Sequence, residues 1–362
     1  MMGMVYLFSA WFQLHFNNFV WLALLSLTTI VGFASFGYLT NDLFDITSDI
    51  KAGKKNSLAG KSVTIIFLLF TIALALIFTP WFFLPSTRFS FSVIALQLFL
   101  FLAYSIPPLR LKEKGLAGLI TDALYAHAIP SILAAYTYSL ATHSALDGIA
   151  LLLLFSWQFT SGIRNIAMHQ KEDALSDKKS GSKNYIAGMS TAGFFFTIQY
   201  LIALELLLSI VFFAHLSFSN PLFVNCIATI VVLSAWAFLL FRKPGIAALY
   251  ESDWKYFPNN LFEKWLPPVY LFLLSTTDNR FIWVLLVHLL LFNFDLYTQI
   301  AQKIIEAWKA IPFKRVFYAP LKQMLSWIVN YSIFFAFLLV GVNLKKEKLS
   351  AAEYLQKRKN KV

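Results

Sequence analysis

Two short windows of this chain concentrate its acids. The first reads N-D-L-F-D-I-T-S-D-I-K-A-G-K-K-N from Asn41, and the second reads H-Q-K-E-D-A-L-S-D-K-K-S-G-S-K-N from His169. Six of the 18 Asp and Glu lie in them: Asp42, Asp45, Asp49, Glu172, Asp173 and Asp177. Laid together, the windows agree at equal offsets at Asp45/Asp173, Asp49/Asp177, Lys51/Lys179, Gly53/Gly181, Lys55/Lys183 and Asn56/Asn184, among others. Self-similarity of this kind predicts two pseudo-repeated halves that bring both windows to one site. Asn41, Asp45 and Asp49 step by four, as do His169, Asp173 and Asp177, so each set shares one face of a helix. On facing helices they would line an oxygen-rich cleft, where carboxylates repel one another unless cations lie between them. Oxygen-only ligation predicts Mg²⁺ or Mn²⁺ bridging carboxylates to a substrate phosphate. Lys51, Lys55, Lys179 and Lys183 add positive charge for the same anion. One such window alone would read as a solvated helix end; two matched copies in a chain so poor in charge read as a site.

Other polar residues extend the pattern. Residues 104–112 read Y-S-I-P-P-L-R-L-K. The two prolines stop a helix, which leaves Arg110 and Lys112 at the membrane boundary, as anchors or as anion ligands. Gln158, Ser161 and Asn165 step by three and four toward His169 and predict a polar stripe on a cavity wall. Arg164 has a structural reading, as the partner of a motif acid. Asp122 and Glu205 fall inside apolar spans, where acids mark functional sites by default; His127 lies near the face of Asp122.

The elements that must position these residues are membrane helices. The chain has 362 residues, 59% of them hydrophobic and 13% charged, with a mean hydropathy of +0.66. Soluble domains average about 25% charged residues, so a soluble globular enzyme is excluded. A disordered chain is excluded too, because disorder needs low hydrophobicity. Apolar runs near 18–40, 62–84, 89–106, 117–138, 147–167, 187–214, 221–241 and 323–342 are long enough to span. Residues 1–14 read as a truncated first helix or an interfacial one. Asp278, Asn279 and Arg280 interrupt the run 267–294, which reads as one irregular span or a re-entrant piece plus a helix.

Charge sets the orientation. The formal charge of +12 reflects basic loops rather than nucleic-acid binding. Residues 41–61, 107–116, 164–186 and 242–266 carry most of the early Lys and Arg, whereas 85–88, 139–146 and 215–220 hold only Arg88. The positive-inside rule puts the first set in the cytoplasm. The expected location is therefore a bacterial cell membrane, with the motif loops inside. Residues 295–322 and the tail are also basic, and their parity agrees only if 267–294 crosses an even number of times or not at all. The single cysteine, Cys226, excludes disulfide and cysteine-metal chemistry. The first 15 residues have no basic segment and no A-x-A site, so no cleaved leader is expected.

The ordered trio of segments resembles the UbiA-type intramembrane prenyltransferases. N-D-x-x-D-x-x-x-D at 41–49 is similar to the family's first aspartate-rich motif. Y-S-x-P-P-x-R-L-K is similar to the stretch after its fourth helix, and H-Q-x-x-D-x-x-x-D-x-x-x-G at 169–181 is similar to a variant of its second motif. The resemblance covers about residues 1–245, a helical core, and leaves 246–362 as a C-terminal region with further helices, an amphipathic segment and a basic tail. It implies an all-α membrane bundle of about nine transmembrane helices around a central cavity. It also implies Mg²⁺-dependent transfer of a prenyl group from a prenyl diphosphate to an aromatic or other lipid-pathway acceptor. Asp42, Asp45, Asp49, Asp173 and Asp177 would then hold the metal and carry the chemistry. Asn41, Lys51, Tyr104, Arg110, Lys112, Gln158, Arg164, Asn165 and His169 would bind substrate. The chain departs from the family in its short first segment, in His169 where many members have an acid, and in K-K-N-S-L where many have Arg-Pro.

Two competing readings share the acid clusters. A polyprenyl phosphate could be the acceptor of a sugar phosphate on the same fold. A secondary transporter also carries repeats and intramembrane acids, but its acids lie near the midplane rather than at helix ends.

The charge pattern makes a topological prediction. In a Cys226→Ser background, cysteines placed at positions 54 and 143 should be modified by an impermeant maleimide from opposite sides of the membrane. Modification of both from one side would overturn the orientation.

Overall fold

The computed structural model describes residues 2–174, 185, 186, 188–241 and 256–292. Asp177, Lys179, Gly181, Lys183 and Asn184 of the second window lie outside the described residues, as do the 295–322 stretch, the 323–342 span and the basic tail. Every regular element among the described residues is helical. They form one compact unit over Met1–Ile282, and a second unit begins at Trp283.

The chain runs through α1 (Met2–Trp11), α2 (Phe16–Ala52), α3 (Val63–Phe78), α4 (Arg88–Ser105), α5 (Leu116–Ala123), α6 (Ile129–Thr142) and α7 (Gly148–Glu172). It continues through α8 (Thr191–Ser217), α9 (Val224–Phe241), the single turn α10 (Phe257–Asn260), α11 (Leu266–Thr277) and α12 (Phe281–Phe292). Five segments are long and apolar enough to cross a membrane: Phe16–Lys51, Val63–Phe82, Arg88–Ser105, Leu116–Thr142 and Thr191–Ser217. Their outer faces expose Trp21, Val63, Phe67 and Phe196. Only lipid covers apolar surface on this scale without cost, so the protein is an integral membrane protein.

Three expectations change on folding. Residues 1–14 are not an interfacial helix. The α1 segment is only about 15 Å long at about 1.5 Å per residue, and Leu7 and Phe8 are fully buried, because α1 packs along α11 and α6 inside the bundle. The 117–138 span is not one regular helix: a π-helical turn, Leu124–Ala128, separates α5 from α6. Of the two readings of the 267–294 run, the described part, to residue 292, shows two short helices rather than one span, broken where Arg280 bonds Asp278 through its backbone N–H (3.0 Å) and guanidinium (2.7 Å) and reaches Asn17 at 3.0 Å.

Local signals set the helix ends. The α7 helix starts at Asp147, whose carboxylate accepts from the N–H groups of Ile149 (2.8 Å) and Ala150 (3.2 Å) and so satisfies two orphan donors. His215, with no partner in sequence, bonds the other Asp147 oxygen at 2.5 Å and ties α8 to the start of α7. The α3 and α8 helices begin at Ser62 and Ser190, whose hydroxyls accept from Ile65 and Gly193. Two glycines permit close helix crossings. A Cβ on Gly32 would lie 2.6 Å from the Ile77 nitrogen on α3, and one on Gly162 would lie 2.7 Å from the Ala123 Cα on α5.

The α7–α8 contact carries a buried ion pair. The Arg164 guanidinium donates to Glu205 through Nε (2.5 Å) and Nη2 (3.2 Å), and the two side chains are 1% and 0% exposed. Arg164 is therefore engaged by Glu205, the acid across the helix pair. Removing one partner leaves the other charge buried alone, which costs about 3–5 kcal/mol. Glu205→Gln or Arg164→Met should each lower the detergent-solubilised melting temperature sharply, and the Arg164→Met/Glu205→Met double should recover most of it. Melting curves of the three variants check this.

Candidate active site

The first acid window occupies the last turns of α2. The helix ends at Gly53, whose left-handed backbone (φ 71°) suits glycine. The Gly53 and Lys54 N–H groups cap the carbonyls of Ile50 (3.1 Å) and Asp49 (2.8 Å). The chain then folds back along the helix it has just left. Asn56 Nδ2 donates to the Asp49 carboxylate and to the Asp42 carbonyl, both at 2.8 Å. Its Oδ1 accepts from the N–H groups of Leu58 (3.0 Å) and Ala59 (3.2 Å). The Ser57 N–H (3.2 Å) and hydroxyl both donate to the Asp42 carboxylate. Asp42 and Asp49 are thus held by the fold-back loop.

Asp45 is held from another direction. The segment after α4 returns beneath α2, and there Arg110 Nη2 donates to Asp45 Oδ1 at 3.0 Å while the Lys112 ammonium bonds Oδ2. The same ammonium donates to Asn41 Oδ1 at 2.8 Å. Ser105, at the end of α4, reaches that oxygen at 3.4 Å. Arg110 takes a left-handed backbone (φ 35°), which costs a non-glycine residue. Its bonds to Asp45, to the Phe44 carbonyl (3.3 Å) and to Glu113 (2.6 Å) hold it there. Burial pushes the Lys112 amine below the ordinary lysine range, and the Asp45 charge pulls the other way.

The second window approaches from the end of α7. Asp173 accepts from Lys54 at 3.4 Å, so the two windows meet through an ion pair. His169 is exposed on the last turn of α7, and Lys51 is exposed on the last turn of α2. Glu172 accepts from the Tyr256 hydroxyl, away from the acid pair. Tyr104 packs edge-on against Tyr125 at 5.4 Å. Gln158 and Ser161 line a cavity of about 350 Å³; Gln158 Oε1 accepts from Ser131 at 3.4 Å. Asn165 Nδ2 lies 3.5 Å from His127 Nε2. Asp122 bonds the Tyr125 hydroxyl at 2.5 Å rather than His127.

The donor set suits a hard divalent ion, because every candidate ligand is oxygen: Asn41, Asp42, Asp45, Asp49 and Asp173. Among the described residues, no three acids, histidines or cysteines already converge at ligating geometry. The reason is visible at Asp45, where the ammonium and guanidinium of Lys112 and Arg110 stand where cations would stand. Sequence reasoning assigned no role to Asn56 beyond its repeated position, and none to Ser57 or Tyr125. The repeat itself was the available signal for Asn56, since it pairs with Asn184.

No family model matches the chain, and no curated protein matches it in sequence. Solved structures do. The apo structure of a UbiA homologue from Aeropyrum pernix K1 aligns at a TM-score of 0.54 and 15% identity, over 76% of this chain and 96% of that one. A UbiA homologue from Archaeoglobus fulgidus bound to DMAPP and Mg²⁺ aligns at 0.47 and 16%, over 76% and 95%. The helical core of this chain therefore has the fold of the UbiA homologues.

Proposed function

We propose that this protein is an intramembrane prenyltransferase that takes a prenyl diphosphate as donor and an aromatic or other lipid-pathway acceptor. One observation carries the reading. Lys112, Arg110 and Lys54 gather on Asn41, Asp45 and Asp173 at the end of an apolar helical bundle. A cluster that holds oxygen ligands for a metal together with cations that pair with them suits a diphosphate.

The chemistry follows from what each group can do. The allylic C–O bond breaks, and the diphosphate leaves with the bonding electron pair. Lys112 and Arg110 can transfer their hydrogen bonds from Asp45 to the leaving oxygens, where charge develops. Mg²⁺ held by Asp42, Asp45, Asp49, Asn41, Asp173 and Asp177 would supply the remaining charge neutralisation. The allylic cation must then be kept from water until the acceptor attacks it and loses a proton. Phe36, Phe101, Tyr104 and Tyr125 form an aromatic wall beside the cluster, with Phe101 and Tyr125 only 4.1 Å apart and Phe36 6.3 Å from Phe101. Aromatic faces stabilise a passing cation and exclude water.

The test is diphosphate release from labelled prenyl diphosphates by protein in nanodiscs. Asp45→Asn and Asp173→Asn should each lower the rate by at least about a hundredfold, and the double little further, because groups that act as a unit are not additive. Glu172→Gln should stay within a few-fold of the parent, since its carboxylate faces Tyr256. EDTA should abolish turnover, and Mg²⁺ should restore it. Unchanged rates in Asp173→Asn would sink the shared-site reading.

A further inference from the structure

The fold-back loop after α2 grips two acids of the first window, and it grips each by one oxygen. Ser57 donates to Asp42 Oδ2 through its N–H (3.2 Å) and its hydroxyl. Asn56 Nδ2 donates to Asp49 Oδ2 at 2.8 Å. The Oδ1 of each carboxylate takes no protein hydrogen bond among the described residues, and neither atom is sealed off by its surroundings. Asp42 and Asp49 lie two turns apart on α2, so the two open oxygens belong to one helix face.

This grip is built into the fold. The Asn56 amide donates to the Asp49 carboxylate and the Asp42 carbonyl and accepts from the N–H groups of Leu58 and Ala59. Both of its donors and two of its acceptor sites are thereby used, which fixes its orientation. Leu58, two residues on, is 1% exposed and anchors the loop. Glycines with left-handed backbone bracket it, Gly53 (φ 71°) and Gly60 (φ 76°).

The second window carries the same device. At equal offset Leu58 matches Ile186, which is 2% exposed. The Ile186 N–H donates to the Gln170 side chain at 3.4 Å, and Gln170 stands where the first window has Asp42. In both halves, then, the returning chain buries an apolar residue and bonds the side chain at the window's second position. The sequence also repeats the seven-residue spacing of Asp49 and Asn56 in Asp177 and Asn184.

Holding one oxygen of a carboxylate has a consequence for the ion it can bind. Ca²⁺ takes about six to eight oxygens at about 2.3–2.6 Å and accepts bidentate carboxylates, whereas Mg²⁺ demands octahedral geometry at about 2.0–2.1 Å, which suits one oxygen per carboxylate. Hydrogen bonds to ligating carboxylates orient them and tune the metal.

We propose that Asn56 and Ser57 are positioning residues that set ion selectivity: by occupying Oδ2 of Asp49 and of Asp42, they present both acids as single-oxygen ligands and select Mg²⁺ or Mn²⁺ against Ca²⁺. The inference rests on the metal-diphosphate reading of the site given above.

Metal binding tests it without turnover. Protein in phosphatidylcholine nanodiscs is loaded with Mn²⁺ in the presence of geranyl S-thiolodiphosphate, an analogue slow to ionise. Bound Mn²⁺ is read from the loss of the free-ion EPR signal and is then displaced with Mg²⁺ or with Ca²⁺; empty nanodiscs with the same analogue are subtracted. Wild-type protein should release its Mn²⁺ to Mg²⁺ at a concentration about thirtyfold below that needed with Ca²⁺, and Asn56→Ala and Ser57→Ala should each narrow this preference about tenfold. Ser57→Thr keeps the hydroxyl and should stay within about twofold of the parent. Ser57 is exposed, so Ser57→Ala opens no void and carries the test even where Asn56→Ala fails to fold. A wild type without preference for Mg²⁺ over Ca²⁺ would overturn the inference alone, as would wild-type preference in Ser57→Ala, or a loss in Ser57→Thr equal to that in Ser57→Ala. Wild-type protein that takes up no more Mn²⁺ than empty nanodiscs would instead sink the metal-diphosphate reading, and this inference with it.

Discussion

Asp45 with its two cations is the interaction on which the rest of the site depends. A carboxylate at the end of an apolar bundle cannot stay both buried and unpaired. Arg110 and Lys112 meet it from the segment after α4, and in doing so they pull that segment under α2. The same lysine fixes Asn41. One carboxylate therefore draws in two cations of a single segment, 65 and 67 residues from it along the chain, and the left-handed backbone of Arg110 is held by that pairing.

Around this centre the polar groups divide by task. Asp42 and Asp49 are occupied by Ser57 and Asn56, so the fold-back loop is ordered by the acids it covers. Arg164 and Glu205 neutralise each other deep between α7 and α8 and so fix the helix that delivers Asp173. Asp147 and His215 are joined by a hydrogen bond at the far end of α7, in more exposed surroundings. The cavity lined by Gln158 and Ser161 is built differently, with aromatic side chains such as Phe33 and Tyr270 and no lysine or arginine in its lining.

Much of this was legible in the sequence, because a membrane imposes strong rules. Hydropathy alone located the long helices, since about 20 apolar residues are needed to cross a bilayer. The four-residue stepping of Asn41, Asp45 and Asp49 placed them on one helical face, and the run of α2 to Ala52 agrees with it. Arg110 and Lys112 stood out as charges next to a helix-stopping proline pair. The motif order fitted a fold that the comparison with solved structures then showed.

Tertiary structure decided which charge meets which. Arg164 had two readings along the chain, and only the packing of α7 on α8 brings Glu205, 41 residues away, to 2.5 Å. Asp122 has His127 near its face along the chain, but in the fold its carboxylate bonds the Tyr125 hydroxyl, three residues on. The burial of α1 could not be read from ten apolar residues, because the same composition suits lipid, an interface or a protein core. The sequence by itself determined where apolar chain must run as helix and where charge must collect at its ends. Partner choice, cavity and register came from three-dimensional contact, because Coulomb pairing and packing act on distance in space and leave no periodic trace along the chain.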